Sequence, residues 1–385
     1  MTRRKIDPAA GRTGRNTFLR ERRFLLWTLG VPLLLCGVIM GTNWLVDPLW
    51  CFRHHVPFGQ WQAMFNERVQ KANILVFRRP AIGTLVLGSS RMMYTDPAIW
   101  GPDGFNYAAN SMVPAEYAPA LRNVGRTVGM PERIVAGFDF LGASIRREQE
   151  VAPRSVDTLR HVDEALASLY RVTALLDYNV FRHAVRNILR RGFEAKDGTI
   201  RYDGGPQPDL HLEFRTPDDG ARREMLEDTL EIFGRSYGAF LYDERHREKL
   251  REFRREAGDA TVIPFTTPEG TPFLRIIAET QGLLDSYERW IRDLVDVFGG
   301  VWNFMDVNRV TSDPYLYREP SHFGPKVSGW IADRILERGD PPKDFGILVT
   351  PWNVDEHLRD VRARIERLKT ARDAWDAVRS PDLWR

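Results

Sequence analysis

Cysteine is almost missing from this chain, whose 385 residues include only Cys36 and Cys51. Two thiols cannot build a disulfide scaffold or a four-thiolate zinc site, and they leave the redox compartment open. Histidine is sparse too, at eight residues. The sequence has no His-Glu-x-x-His pair, no Walker phosphate loop and no dinucleotide glycine fingerprint. Zinc-protease and nucleotide-dependent chemistries have no foothold, and no metal or cofactor is expected. His54 and His55 are neighbours, but adjacent side chains point apart on most backbones and no carboxylate has ligand spacing, so an interfacial loop is the better reading. Internal repeats and low-complexity tracts are lacking as well.

Charge of one sign is also missing: 55 basic groups face 52 acidic ones. The net of +3 is unevenly spread, because residues 1–23 hold eight basic groups against two acidic ones. The other 362 residues therefore carry 47 basic and 50 acidic groups, a net of −3. A mildly acidic body has no footprint for nucleic acid, and no such partner is expected. With 28% charged residues and a mean hydropathy of −0.37, a polytopic transporter is excluded.

One long apolar run is present. Residues 24–46 form 23 uncharged positions directly after the basic tail. At 1.5 Å per residue this length crosses a bilayer core of about 30 Å. A buried core helix is the bland alternative, and a cleaved signal peptide is the stronger rival. The segment TNWLVDPLW lacks a small-residue cleavage site, and Leu33-Leu34-Leu35-Cys36 lacks the small residue a lipoprotein site needs. The expectation is an uncleaved single-pass anchor in the cell inner membrane, with residues 1–23 in the cytoplasm and the body in the periplasm. Trp44 and Trp50 would then sit in the interfacial belt.

Residues 47–83 read as an ordered juxtamembrane segment without sustained periodicity. Short apolar runs at Thr84-Leu85-Val86-Leu87, Gly104-Phe105-Asn106-Tyr107 and Arg133 to Phe138 predict strands, as do Ala260 to Phe265 and Val301 to Phe304. Helices are predicted over 114–129, 273–298 and 325–338. The strand signal disappears over about 151–258, a helical insertion in which 196–219 is turn-rich and unassigned. Alternating strands and helices predict an α/β domain over 84–339 with a three-layer parallel sheet. In the tail, 340–385, Val354, Leu358, Val361, Ile365, Leu368 and Trp375 form one stripe over 354–378, which predicts a helix folded back on its own domain rather than a partner seam.

Two segments carry chemistry. Gly88-Ser89-Ser90-Arg91 closes the first strand, and in open α/β sheets the ligand crevice lies outside the carboxyl strand ends. A serine there faces substrate, although Gly-Ser-Ser is also ordinary turn chemistry. The lone Arg91 suits an anionic substrate or a neighbouring carboxylate. After the last strand, Glu319 and His322 stand three apart in a proline-broken loop. At that spacing a carboxylate can fix one imidazole nitrogen and leave the other as a general base. A surface Glu and a helix-capping His is the competing account.

Together these segments resemble the SGNH, or GDSL-like, hydrolase superfamily, whose sheet is flavodoxin-like, over about 84–338 apart from the insertion. The resemblance implies Ser90 as nucleophile, His322 as base and Glu319 as its orienting acid. Because Glu replaces the family's Asp, Asp313 and Asp306 stand as alternative acids. Phe105 to Ser111 resembles the second block and implies oxyanion donors from the backbone of Ser90 and Ser111. Gly137-Phe138-Asp139 departs from the third block's Gly-x-Asn, and an ionised Asp139 cannot donate, which passes that role to Asn110. The anchor, Asp47-Pro48, the GSSR block and the insertion further resemble membrane-anchored SGNH-like proteins of alginate O-acetylation and teichoic-acid D-alanylation. That likeness implies extracytoplasmic acyl-ester chemistry, as O-acyltransferase or esterase, on an envelope polysaccharide or related polymer, with a membrane-bound O-acyltransferase as partner. The alternative is a catalytically inactive envelope-assembly or polymer-binding relative.

Overall fold

The fold comes from a computed structural model that describes residues 10–56, 61–155, 157–190, 194–202, 210–370 and 375. Helix α1 (Ala10–Val46) leads to β1 (Trp61–Ala63) and α2 (Glu67–Phe77). Then come β2 (Thr84–Leu87), β3 (Gly104–Asn106), α3 (Tyr117–Val128) and β4 (Arg133–Phe138). The next stretch holds α4 (Ile145–Ser155), α5 (Asp157–Leu166), α6 (Tyr170–Leu176), α7 (Tyr178–Arg190), β5 (Thr199–Arg201) and α8 (Asp219–Gly238). It is followed by α9 (His246–Glu256), β6 (Thr261–Thr266), α10 (Thr271–Glu279), α11 (Leu283–Phe298) and β7 (Val301–Asn303). Last are the hairpin β8 (Tyr317–Glu319) and β9 (His322–Phe323), α12 (Pro325–Ile335), β10 (Ile347–Val349) and α13 (Val354–Arg367).

The main sheet has the order β10-β7-β6-β4-β2-β3. Its strands run parallel except β10, which pairs antiparallel with β7. The expected all-parallel sheet is thus corrected to a mixed one. Ile347 and Leu348 are exposed, so no buried apolar run marks this edge strand within the tail. Among the parallel strands the first, β2, lies between the second and the third. Connections therefore leave its two sides in opposite directions, and a crevice opens beyond the carboxyl ends of β2 and β4.

Apolar periodicity located most of the elements that cover this sheet. The Tyr117, Leu121 and Val124 face of α3 is buried, and α9 packs against α3 and α11 through buried Leu250 and Phe253. The helix expected over 273–298 is instead two, because Gly282 adopts a left-handed φ of 75° between α10 and α11. The stripe of α13 is buried, and α13 packs on α10 and α11, so the tail folds back. Trp375 is buried, and the rest of the helix expected beyond residue 370 lies outside the described residues.

Helix α2 escaped the sequence reading because it buries Arg68, Gln70, Lys71 and Asn73 along with Ala72, Ile74 and Leu75, which breaks the apolar spacing. Each of the four polar side chains is matched. Arg68 binds Glu116 at 2.7 Å, Gln70 and Asn73 donate to the carbonyls of Pro48 and Leu49 at 2.7 Å, and Lys71 donates to the Ala108 carbonyl. Asn66 caps the helix by accepting from the Val69 N–H at 3.2 Å. In the turn-rich stretch, β5 pairs antiparallel with β1, while 203–209 lie outside the described residues.

Between Arg20 and Val46, α1 is long and apolar enough to cross a membrane, and the core of this run is unburied. The helix also extends back to Ala10 through the basic flank, and residues 1–9 lie outside the described residues. At its exit Asp47 is buried and accepts from the N–H groups of Cys51 and Phe52 at 2.7 and 3.0 Å and from the Tyr202 hydroxyl at 2.6 Å. Burial pushes this carboxyl up to about 7 against the pull of these donors and of Arg78. His54 stacks on Trp44 at 4.4 Å beside this exit.

Gly88 and Gly137, near the ends of β2 and β4, make room for Met92. A Cβ on Gly88 would lie 2.3 Å from Met92 Cγ, and one on Gly137 2.9 Å from Met92 Cγ and Sδ. Gly88→Ala should therefore lower stability by about 1–3 kcal/mol, read by urea unfolding of the detergent-solubilised chain. Adding Met92→Ala should cost less in this background than in the parent, since the two residues share one space. Parent-like stability of Gly88→Ala would show that this turn has more room than the packing indicates.

Candidate active site

The turn after β2 is built to hold one serine. Gly88 leads to Ser89, whose Oγ accepts from the Arg91 N–H at 3.3 Å and caps the single 3-10 turn Ser90–Met92. From the end of β3, Asn106 donates to the carbonyls of Met92 and Thr95 at 2.8 and 2.9 Å and accepts from the Ala108 N–H at 2.9 Å. One buried amide thus ties the loops after two adjacent strands. The Ser90 N–H has no protein acceptor among the described residues.

The histidine arrives on the hairpin rather than in an irregular loop. Pro320 and Ser321 connect β8 to β9, and Glu319 pairs directly with His322 across the two strands. The Glu319 carboxylate meets His322 Nδ1, while the Ser321 N–H and Oγ both donate to Glu319 Oε2 at 2.7 Å. Burial alone would raise this carboxyl, but His322 and Ser321 outweigh it and hold Glu319 near 2. An ionised Glu319 keeps the imidazole proton on Nδ1. The free nitrogen, Nε2, lies 2.9 Å from Ser90 Oγ. Tyr94 sets its ring edge-on to His322, centroids 5.8 Å apart, and is itself packed edge-on against Phe214 at 5.7 Å.

Behind Ser90, the buried Arg91 guanidinium bridges two acids, Asp139 at 2.8 Å and Glu269 at 2.7 Å. Asp139 also accepts from Thr267 Oγ1 at 2.5 Å, and Glu269 from the Tyr237 hydroxyl at 2.7 Å. Burial opposes the charge on Arg91, and Asp139 and Glu269 more than offset it. Arg91 is therefore committed to carboxylates of this chain, and Asp139 is ion-paired. No short motif announced Glu269 and Tyr237, since their place depends on β6 and α8 reaching the same crevice. Ser321 stood between Glu319 and His322 in the sequence, but only the hairpin register reveals its double contact.

The other expected residues make their hydrogen bonds outside the Ser90–His322–Glu319 run. Ser111, at a left-handed φ of 56°, accepts from Arg147 at 2.6 Å and donates to Asn110 Oδ1 at 3.1 Å. The Asn110 N–H donates to Glu67 at 2.8 Å. No hydrogen bond joins Asn110 or Ser111 to Ser90, His322 or Glu319 among the described residues, although the Ser111 N–H has no protein acceptor there. Asp313 caps the turn Pro314–Leu316 by accepting from the Tyr315 N–H at 2.9 Å, and Asp306 pairs with Arg364 at 2.6 Å. The structure thus sets Glu319, and neither aspartate, against His322. Among the described residues no group of three or more His, Cys, Asp and Glu side chains is placed to hold a metal ion.

Comparison of the chain with protein-family models, curated proteins and solved structures finds no match.

The Glu319 carboxyl yields a pH prediction. Its pKa falls from 4.5 to about 2 on folding, so the stabilisation is complete above about pH 4.5 and is lost as the pH drops through 2. Glu319→Gln should cost about 1–3 kcal/mol at pH 7 and flatten the acid limb of the stability curve. Urea unfolding at neutral and acid pH checks this. An equal gap between variant and parent at both pH values would mean that ionisation of Glu319 contributes nothing.

Proposed function

We propose that this protein carries out serine-dependent acyl-ester chemistry outside the cytoplasmic membrane, as an O-acyltransferase or esterase acting on an envelope polysaccharide or related polymer. The reading takes the body as a three-layer, SGNH-type domain, with α1 holding it to the inner membrane and the domain in the periplasm. One observation carries it: the unbroken run from Ser90 Oγ through both nitrogens of His322 to Glu319.

In this reading Ser90 Oγ attacks the carbonyl carbon of an acyl donor while His322 Nε2 takes its proton. The N–H groups of Ser90 and Ser111 receive the oxyanion. His322 then returns the proton to the departing alcohol, leaving acyl-Ser90. Water or a sugar hydroxyl next loses a proton to His322 and attacks the ester, which restores Ser90. Glu319 stabilises the imidazolium in both halves. Arg91, shared between Asp139 and Glu269, offsets part of the charge that Asp139 would set against the oxyanion. A membrane-bound O-acyltransferase fits this scheme as supplier of the acyl group.

A second reading, a polymer-binding or assembly protein without turnover, is favoured by Asp139 itself. Its carboxylate accepts from Thr267 and Arg91 and offers no donor to an oxyanion.

A fluorophosphonate probe on the full chain in detergent separates the two. Labelling at Ser90 is expected, with Ser90→Ala abolishing it and His322→Ala slowing it by about 10³-fold or more. Glu319→Gln should slow it by about 10²–10⁴-fold, and Asp313→Asn should hardly matter. A folded parent that takes no label would favour the binding reading.

A further inference from the structure

We propose that helices α6 and α7 form a collar that rests in the bilayer at headgroup depth, so that phospholipid covers their outer face. The inference depends on α1 crossing a membrane and is independent of any chemistry at Ser90. Its first support is a length argument. Arg20, Arg22 and Arg23 stop the apolar run on one side, and a hydrocarbon core of about 30 Å takes about 20 helical residues. Counted from Phe24, that core reaches to about Trp44. Yet α6 and α7 pack on α1, whose burial starts at Ile39 and is nearly complete at Asn43 and Val46. One face of the last turns of the span is therefore covered by the same helices that must clear the bilayer if the body is to stay entirely in water, while Trp44 and Leu45 stay exposed. The two requirements conflict unless α6 and α7 enter the interface.

The amide donors of the span agree. Asn43 would be costly in hydrocarbon, and its side-chain N–H groups donate to the carbonyls of Leu175 at 2.9 Å and Asp177 at 3.1 Å. These carbonyls lie where α6 ends and α7 begins, so the join between the two helices is fastened to α1 at interfacial depth.

The outer surface has the matching chemistry. Leu189 is 78% exposed, Leu169 66% and Tyr178 61%, with Val172 and Leu176 also exposed. A monomer in water leaves few apolar groups so open along two consecutive helices. Between 166 and 189 stand Arg171, Arg182 and Arg186 against the single acid Asp177. Leucine and tyrosine interleaved with arginine are what an anionic phospholipid interface accepts.

The test reconstitutes the full chain, carrying Cys36→Ala, into vesicles of phosphatidylcholine and phosphatidylglycerol. Cys51 is buried and stays unlabelled while the protein is folded. Single cysteines at Leu169, Leu176 and Leu189 receive an environment-sensitive fluorophore, with Trp352, 95% exposed, as reference. The collar labels should emit to the blue of the Trp352 label, be quenched by a lipid carrying a shallow nitroxide and lose quenching by aqueous iodide. Iodide quenching equal to that at Trp352 would overturn the proposal. Protection from both quenchers would also overturn it, since protein and not lipid would then cover the face.

Discussion

The two-residue connection between β8 and β9 governs the site. With only Pro320 and Ser321 in the turn, Glu319 has no freedom to lie anywhere but across from His322. The carboxylate then receives the Ser321 N–H and hydroxyl as well as the ring, which makes its ionised form favourable despite burial. The ring is turned by that contact, and Nε2 points to Ser90 as a result. Gly270 locks the hairpin from outside by donating to the Pro320 carbonyl at 2.8 Å, so the start of α10 and the turn move together.

A second constraint lies beneath Ser90. Buried charges need partners, and Arg91 is shared between Asp139 and Glu269, with Thr267 and Tyr237 donating further hydrogen bonds to the two acids. These residues come from the ends of β2 and β4, from the segment between β6 and α10, and from α8. Removing Arg91 leaves two carboxylates facing each other in a dry interior. The strand ends that frame the crevice are therefore coupled electrostatically as well as through the sheet. Asp139, which looks from the sequence like a damaged oxyanion residue, has a complete structural reason to be an acid.

How much of this was legible follows from what each element buries. The parallel strands and α3 bury apolar residues at regular spacing, and the sequence reading located them within a few positions. The α13 stripe was visible for the same reason. Helix α2 buries four polar side chains among its three buried apolar ones, and β10 leaves two of its three residues exposed, so neither offers a pattern to find. Ser90, Glu319 and His322 could be picked out because their chemistry and their place after strands are local facts. Ser321, Tyr94 and the acids around Arg91 depend on contacts between distant segments, which spacing cannot report. Among the acids weighed beside His322, cross-strand register distinguishes Glu319 from Asp313 and Asp306.

The buried carboxylate at Asp47 has a mechanical meaning. Many anchored proteins hang from a loose tether and sweep a wide volume above their membrane. Here α1 passes into the body through Asp47, Arg78 and Tyr202, with Asn43 hooked one turn earlier, and no slack segment intervenes. Any tilt of α1 is handed directly to the domain, like a rudder post to its blade. Ser90 is held at one height and one compass bearing relative to α1, which fixes the direction from which its hydroxyl can be approached.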